Sequence, residues 1–253
     1  MTNAAPSLDP EEVEKFARIA DQWWAPDGPF APLHRMNPKR IEVIRDAILT
    51  HFGRPKGGRR ALAGLEIVDV GCGGGLVTEP MARLGGQVTG LDAAEETIKA
   101  AKAHAAGQGL AIAYRQGFAE DLAAERPASF DVVLALEIIE HVADVAVFLS
   151  AVSALAKPGG LVVLSTINRT PQARALAIFA AEKILRWLPE GSHHYEKLIT
   201  PVELSAALES AGLEPSPAIG LAFNPLMRIW SAGEDVAMNY IMTARKPAGR
   251  APG

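Results

Sequence analysis

The stretch "LEIVDVGCGGG", residues 65–75, runs from an apolar segment into four glycines within five positions. An apolar run of this kind is typical of a strand buried on both faces of a parallel sheet. Glycines between such a strand and a helix let the backbone approach a bound ligand closely. From residue 65 onward, apolar strands alternate with helical patterns, which predicts an α/β fold with a doubly wound, mostly parallel, seven-stranded sheet.

The chain supplies a candidate segment for each of the seven strands. The first five are "LEIVDVG" (65–71), "QVTGLD" (87–92), "AIAYRQG" (111–117), "FDVVLALE" (130–137) and, after the turn at 158–160, "LVVLSTIN" (161–168). Segments around 217–223 and 239–246 are predicted to complete the sheet as a hairpin-like pair.

Length and composition favour one decorated domain over two. The chain has 253 residues, of which 49% are hydrophobic, enough for a sizeable core. A net charge of −4 argues against a nucleic-acid-binding surface, and a single cysteine fits a reducing compartment. The amino terminus lacks the layout of a signal peptide, and no apolar run is long enough to span a membrane. We therefore expect a cytoplasmic protein without a nucleic-acid partner.

Two helices are predicted ahead of the sheet. The first begins at Asp9-Pro10, where an acid caps the helix and proline occupies the first turn, and it ends near residue 26. The second covers roughly 38–51. Ahead of the second helix, and overlapping its start, "FAPLHRMNPKR" (30–40) has two prolines and little helical or strand periodicity. We expect residues 1–60 to cover the domain formed by 61–246, and 247–253 to form a tail.

The glycine pattern discriminates between nucleotide cofactors. Counted from Gly71, the dinucleotide fingerprint G-x-G-x-x-G places Leu76 where the third glycine is required. A nicotinamide oxidoreductase is therefore disfavoured. Asp92 ends the second strand, where an acid can accept hydrogen bonds from both hydroxyls of a ribose. Glycine loop and strand-end acid together indicate a cofactor that contains a nucleoside.

These motifs resemble those of the class I S-adenosylmethionine-dependent methyltransferases, which have a Rossmann-like fold. The segments "VDVGCGGG", "VTGLD", "FDVVLALEIIEHV" and "LAKPGGLVVLSTIN" occur in the order of that family. The resemblance implies S-adenosylmethionine as cofactor. The residues it implies in cofactor binding are Gly71 and Gly73 at the amino-acid end, Asp92 at the ribose, Ala119 with Glu120 beside the adenine, and Leu136 at the end of the fourth strand. Phe118 stands where the family usually has an acid.

The segments around the sheet resemble a narrower family, the ubiquinone-biosynthesis O-methyltransferases. Residues 16–40 and 167–204 carry this resemblance, which extends over about 11–246. It implies transfer of a methyl group to a hydroxyl of a polyprenylated catechol-type ring, at two steps of the quinone pathway. It also makes 30–40 a wall and lid over the active site and places Arg40 near the carboxylate of the cofactor. The alternative for Arg40 is an ordinary surface arginine.

The segment "EIIEH" after the fourth strand holds the candidate catalytic groups, because a phenol has a pKa near 10 and needs help to lose its proton. In a helical turn, positions i, i+3 and i+4 share one face, so Glu137, Glu140 and His141 are expected to converge. Glu137 and His141 are candidate catalytic residues. All three are candidate ligands of Mg²⁺ or another divalent cation, although methyltransferases without a metal carry a similar sequence. His34 is a second candidate base that contacts the substrate.

Aromatic residues of the amino-terminal segment are candidates to cover an aromatic substrate. Trp23, Trp24 and Phe30 form this group. For Trp23 the sequence favours packing between the helix and the domain, since it continues the apolar stripe of Phe16 and Ile19.

A helical insertion is predicted at 168–200. Thr170-Pro171 begins a helix with a basic face and an apolar face that carries Trp187, and Pro189 ends it. Such a helix suits a membrane interface, and the alternative is a helix that packs on the domain. With a polyprenyl substrate, we expect contact of 171–188 with an anionic membrane surface and a peripheral location on its inner face, together with contacts to other ubiquinone-pathway enzymes.

Rival functions remain at this stage. One is another small-molecule methyltransferase or a C-methyltransferase acting on a quinone ring. Another is a non-catalytic component of a membrane-bound biosynthetic complex that binds the cofactor without turning it over.

Overall fold

The computed structural model describes residues 7–175, 195–224 and 226–249, and its centre is one β-sheet. In the described residues the sheet has nine strands: β1 Glu66–Val70, β2 Gln87–Asp92, β3 Ala113–Gln116, β4 Phe130–Leu136, β5 Ala156–Ile167, β6 Glu214–Pro215, β7 Ile219–Asn224, β8 Ile229–Gly233 and β9 Asn239–Arg245.

The strand order is β3-β2-β1-β4-β5-β9-β7-β8, with the short β6 paired to β9. Strands β1 to β5 run parallel, and β9 joins β5 antiparallel. The predicted α/β fold with a largely parallel sheet is confirmed, including the late antiparallel pair β7 and β9. Two strands were not predicted. β6 is two residues long, and β8 contains serine and glycine, so neither has the apolar run that indicates a buried strand.

Helices flank both faces of the sheet. They are α1 Pro10–Arg18, α2 Ala31–His51, α3 Thr78–Arg83, α4 Glu95–Gly107, α5 Ala119–Glu125, α6 Val145–Leu155 and α7 Pro201–Ser210, with 3₁₀ turns at Ala20–Gln22, Ile139–His141 and Tyr195–Lys197. α1 begins as predicted, since the Asp9 side chain accepts a hydrogen bond from the backbone N–H of Glu11.

The predicted start of the second helix near residue 38 is wrong, because α2 begins at Ala31. Pro32 lies in the first turn, where its missing N–H would have no partner within the helix. Pro38 lies inside the helix and removes one backbone hydrogen bond. The buried side chains of α2, among them Ile44 and Ile48, pack against the sheet and stabilise the helix despite this loss.

Strand alternation divides the core into two layers. Side chains such as Val68 and Val133 face α5, α6 and α7, whereas their neighbours Ile67 and Val132 face α2 and α3. The parallel register aligns Val70 with Leu91 and with Ala135. The residues that follow β1 and end β2 and β4 therefore meet at one edge of the sheet, where ligands bind in open α/β folds.

The predicted insertion is described only at its start. Residues 171–175 are helical, and the Thr170 hydroxyl oxygen accepts a hydrogen bond from the backbone N–H of Ala173 at 3.0 Å, as a helix cap. The rest of the predicted membrane-contacting segment, from 176 onward, lies outside the described residues. Of the helices in the described ranges, none has both the length and the apolar composition needed to cross a membrane.

Candidate active site

A cavity of about 450 Å³ is lined by residues at the carboxyl ends of the parallel strands. Gly71, Asp92 and Leu136 contribute to its wall, and α1 and α2 close it from the amino-terminal side through residues such as Phe16 and Met36. A cavity of this volume is large enough for a ligand the size of a nucleoside cofactor.

The glycine loop presents bare backbone to this cavity. Gly71 and Gly73 have φ values of +72° and +54°, which other residues adopt only with strain. A Cβ at Gly71 would lie 2.3 Å from Cδ1 of Ile138, and a Cβ at Gly73 would lie 2.4 Å from Cη2 of Trp23. Both positions therefore require glycine for backbone conformation and for space.

We expect Gly73→Ala to destabilise the protein by about 2–5 kcal/mol, because a left-handed backbone and a collision with Trp23 add together. Gly109→Ala is the matched control, since Gly109 has φ +67° but nothing within 4 Å of its Cβ position. It should cost only about 1–2 kcal/mol. Urea unfolding of both variants measures the difference, and equal losses of stability would contradict the close contact between Trp23 and the loop.

Asp92 is held by two backbone donors. Its Oδ2 accepts from the N–H of Gly73 and its Oδ1 from the N–H of Ala94, each at 3.0 Å. Burial raises the pKa of Asp92 above its ordinary value. Each carboxylate oxygen has a second acceptor site, so this orientation is compatible with the pair of hydroxyls of a ribose.

Arg40 is a buried cation in the cavity wall, not a surface arginine, since only 3% of it is exposed. Its Nε–H and Nη2–H donate to Oδ1 of Asn37 at 3.2 and 3.0 Å, and Asn37 donates to the carbonyl of Leu76. Nη1 lies 3.8 Å from Oε1 of Glu137, an ion pair too long for a hydrogen bond. Burial lowers the pKa of Arg40. The guanidinium is thereby fixed inside the cavity.

Ala119 and Leu136, two of the candidate cofactor residues, both belong to the cavity wall. Leu136 ends β4, Ala119 begins α5, and both line the cavity. Glu120 also lines it, and its Oε1 accepts a hydrogen bond from the backbone N–H of Ser7 at 3.3 Å.

Three polar residues of the site were missed by the sequence analysis. Asp69 lines the cavity beside Arg40, accepts from the Thr78 hydroxyl at 2.6 Å, and has its pKa raised by burial to about 6. An acid within the apolar run "EIVDV" was the available signal for this residue. Glu12 had no such signal, because its partner His141 lies 129 positions away. Asn37 was missed although its partner Arg40 lies only three residues on in the same helix.

The cavity wall in the described part of the chain is acidic. It holds six carboxylates and two permanent cations: Glu12, Asp69, Asp92, Glu120, Glu137 and Glu140, with Lys15 and Arg40. This excess of acidic groups favours a ligand that carries positive charge.

The helical turn predicted over "EIIEH" is wrong. Glu137 has φ +52°, in the left-handed region, and only Ile139–His141 form a 3₁₀ turn. Strain of this kind is found at functional sites. Glu137, Glu140 and His141 all line the cavity, but nowhere in the described ranges do three His, Cys, Asp or Glu side chains stand together closely enough to hold a metal ion. The expected convergence of the three on one helical face is therefore not observed.

Each carboxylate of this segment has its own partner on β5. The Ser165 hydroxyl donates to Oε1 of Glu137 at 2.7 Å, and the Thr166 hydroxyl donates to Oε2 of Glu140 at 2.9 Å. Burial, and then repulsion from Glu137, raise the pKa of Glu140 to about 7.

This raised pKa predicts a pH dependence of stability. Between the ordinary value of 4.5 and about 7, Glu140 stays protonated in the folded protein and is ionised in the unfolded chain. The folded state therefore binds more protons, and its contribution to the free energy of unfolding falls as pH rises through this range. We expect Glu140→Gln to remove a fall on the order of 2 kcal/mol between pH 5 and 8.

Urea unfolding at the two pH values measures this effect, with Glu42→Gln on the solvent-facing side of α2 as the control. The same fall in Glu140→Gln as in the parent protein would contradict the environment assigned to Glu140.

His141 forms a pair with Glu12 of α1. Its Nδ1 lies 2.8 Å from Oε2 of Glu12, and this hydrogen bond lowers the pKa of Glu12 to about 2. An ionised carboxylate only accepts, so Nδ1 carries the proton. In the neutral imidazole the lone pair is then on Nε2, the arrangement of a general base oriented by a carboxylate.

His34, the candidate substrate residue, is not among the residues that line the cavity. Its Nε2 lies 2.8 Å from the carbonyl oxygen of Trp23, so this nitrogen donates its proton there. The contact joins α2 to the segment before it and makes His34 a structural residue.

Of the three candidate aromatic residues, two line the cavity and one does not. Trp23 and Phe30 stack at 3.7 Å between ring centroids, and both line the cavity. Trp24 instead donates from Nε1 to the carbonyl of Gly74 and stacks on His104 at 3.5 Å, outside the cavity wall. The packing predicted for Trp23 is observed, and it covers the glycine loop at the same time.

Comparisons with known families and sequences find methyltransferases. A family model described as "Methyltransferase domain" matches residues 68–164. A relative named "Ubiquinone biosynthesis O-methyltransferase" from Maricaulis maris (strain MCS10) is 53% identical over 98% of this chain and 100% of its own length. A protein of the same name from Sinorhizobium medicae (strain WSM419) is 49% identical over 96% of this chain and 98% of its own length.

Solved structures of much lower sequence identity share the fold. A SAM-dependent methyltransferase from Thermotoga maritima superposes with a TM-score of 0.65 at 17% identity, covering 92% of this chain and 99% of that one. Magnesium protoporphyrin IX methyltransferase from Synechocystis PCC 6803, with bound SAH, gives 0.61 at 16% identity, covering 94% of both chains.

Proposed function

This chain belongs to the ubiquinone biosynthesis O-methyltransferases, and we propose that it transfers the methyl group of S-adenosylmethionine to a phenolic hydroxyl of a polyprenylated catechol-type ring. We include both O-methylation steps of ubiquinone biosynthesis in the proposal. The observation that carries it is a single cavity that brings the candidate cofactor residues Arg40, Gly71 and Asp92 together with the Glu12–His141 pair.

The residues of the cavity fit S-adenosylmethionine, which supplies an electrophilic methyl group when it is bound. Arg40 provides a buried guanidinium for a carboxylate, which it can bind in bidentate fashion. Asp92 provides acceptors for ribose hydroxyls, and the bare backbone of Gly71 and Gly73 permits close approach. Ala119 and Leu136 would line the adenine end. The acidic wall suits a sulfonium cation.

The Glu12–His141 pair would take the proton of the attacking hydroxyl. Nε2 accepts the phenolic proton, while Glu12 holds the ring orientation through Nδ1 and stabilises the imidazolium that forms. Methyl transfer is an in-line displacement, so the remaining task of the chain is positioning and exclusion of water. Trp23 and Phe30 would cover the ring, with residues 1–60 acting as a lid on the domain 61–246.

We also include a divalent cation such as Mg²⁺ in the proposal. Two carboxylates with one imidazole are a donor set that suits a hard or borderline ion. Burial, and then repulsion from Glu137, raise the pKa of Glu140, and a cation would relieve the repulsion. Glu137, Glu140 and His141 would be its ligands after rotation of their side chains, since they do not converge as they stand. Nε2 of His141 cannot bind the cation and accept the phenolic proton at once. With the cation bound, the metal would therefore assist loss of the proton by lowering the pKa of the phenol, in place of His141.

The chemical class of the substrate also bears on where in the cell the protein acts. We propose that residues 171–188, described only as far as 175, contact an anionic membrane surface on its inner face, where a polyprenyl lipid resides. Contacts with other ubiquinone-pathway enzymes belong to the same proposal.

One incubation tests the reaction: the purified chain, methyl-labelled S-adenosylmethionine and a short-chain polyprenyl catechol, with and without EDTA. We expect the label as a methyl ether. A carbon-bound methyl group would show a C-methyltransferase, and no transfer despite cofactor binding would favour a non-catalytic component. Loss of activity in EDTA that Mg²⁺ reverses would support participation of a divalent cation. Activity that EDTA leaves unchanged would contradict it.

A further inference from the structure

The hairpin formed by β7 and β8 has an apolar end that faces solvent. We use "hairpin tip" for Phe223, Asn224 and residues 226–230. In it Leu226 is 94% exposed and Met227 is 67% exposed, and Phe223 and Ile229 are also largely exposed. These are four of the six large apolar side chains that are exposed in the described part of the chain. A concentration of this kind marks a surface that contacts an apolar partner.

The side chain of Asn224 makes two hydrogen bonds within the hairpin tip. Asn224 Oδ1 accepts hydrogen bonds from the backbone N–H groups of Leu226 and Met227, both at 3.0 Å. Arg228 has φ +55°, a left-handed conformation that is unusual for arginine and helps reverse the chain. The ladder on either side pairs Phe223 with Trp230. The fold therefore holds Leu226 and Met227 out in solvent by specific contacts.

An apolar face connects the hairpin tip with the cavity. Phe223 and Trp230 are ladder partners with ring centroids 5.4 Å apart, on the same face of the sheet as the buried Leu221. Trp230 lines the cavity and packs against the core layer that contains Met36. A path of apolar side chains thus leads from the cavity wall through Trp230 and Phe223 to the exposed end of the hairpin.

The charge of residues 215–233 indicates which kind of partner the hairpin tip contacts. Arg228 is the one ionisable residue in the sequence from 215 to 233. A stretch without carboxylates, with exposed leucine and methionine, an indole and one arginine, suits insertion into a bilayer surface. There apolar side chains enter the acyl region, and the arginine contacts lipid phosphate.

We infer that the hairpin tip inserts into a phospholipid bilayer and orients the apolar path from the cavity toward the lipid. This surface is separate from 171–188. Its use in delivering a polyprenylated substrate rests on the proposed function, whereas bilayer binding itself does not. Leu226 and Met227 act as the inserted side chains, and Phe223 with Trp230 lies between them and the cavity.

Sedimentation of the full chain with vesicles of phosphatidylcholine and phosphatidylglycerol tests the inference. We expect Leu226→Glu and Met227→Glu each to lower the partition coefficient by about 10- to 100-fold, since each replaces a membrane-buried apolar group with a charge. Val202→Glu is the matched control, because Val202 is 79% exposed on α7, and it should stay within about twofold of the parent protein.

Methylation of a tail-free, water-soluble catechol is measured in parallel and should be equal in all four proteins. If the parent protein methylates neither this catechol nor the short-chain polyprenyl catechol, the proposed function fails while the vesicle result still decides the inference. Parent-like partition of Leu226→Glu and Met227→Glu would overturn the inference, as would no vesicle binding by the parent protein. A change of self-association in these variants without a change in vesicle binding would assign the surface to a second copy of the chain and also overturn it.

Discussion

Replacement of His141 by glutamine is expected to lower kcat by about 10²- to 10⁴-fold, the usual contribution of a positioned general base. Glutamine can still donate a hydrogen bond to Glu12, so the loss would report removal of the basic nitrogen and not of the contact with α1. Steady-state kinetics with a tail-free catechol at saturating cofactor measures kcat.

His51→Gln is the control for this replacement. His51 also makes a hydrogen bond through a ring nitrogen, at 2.8 Å to the carbonyl of Gly159, but it does not line the cavity. Its kcat should match that of the parent protein. Glu12→Gln should cause a smaller loss, about 10- to 100-fold, because it leaves the base present but disturbs its tautomer and orientation. Parent-like kcat in His141→Gln would remove the base assignment.

Replacement of Arg40 by methionine is expected to raise the Kd for S-adenosylmethionine by about 10²- to 5 × 10³-fold, since breaking a buried charge pair costs about 3–5 kcal/mol. The kcat at saturating cofactor should change little if the arginine acts only on the carboxylate. Isothermal titration calorimetry measures the affinity. Arg35→Met, at an exposed position of the same helix, is the control and should bind the cofactor as the parent does.

A change in the ligand separates the role of Arg40 from a general loss of structure. Decarboxylated S-adenosylmethionine lacks the group that Arg40 is proposed to bind. The parent protein should bind it weakly, and Arg40→Met should bind it about as well as the parent does. A further large loss in the variant would show that Arg40 acts on folding, through Asn37 and Glu137, and not on the carboxylate.

The parts that sequence predicts well are those encoded locally. Apolar runs such as "FDVVLAL" leave a buried parallel strand as the best solution, and the glycines after β1 require a tight turn. The ends of parallel strands meet at one edge, so Gly71, Asp92 and Leu136 could be placed at a common site before any coordinates were known.

What the sequence did not predict depends on contacts between distant segments. The Glu12–His141 pair joins residues 129 positions apart, and no local pattern in α1 marks Glu12 as a partner. The helical conformation of 31–40 was hidden by two prolines, because packing of α2 on the sheet offsets their unfavourable propensity. The left-handed conformation of Glu137 was also missed, and its hydrogen bonds link it to Ser165, 28 positions away on β5.

A crystal structure of the chain with S-adenosylhomocysteine and a tail-free catechol is the most direct test of the central claim that one cavity holds the cofactor and the reacting hydroxyl. We predict the ribose hydroxyls within hydrogen-bonding distance of Asp92, the cofactor carboxylate at Arg40, and a catechol oxygen within about 3.2 Å of Nε2 of His141. A cofactor bound outside this cavity, or a catechol ring on the far side of it from His141, would contradict the account.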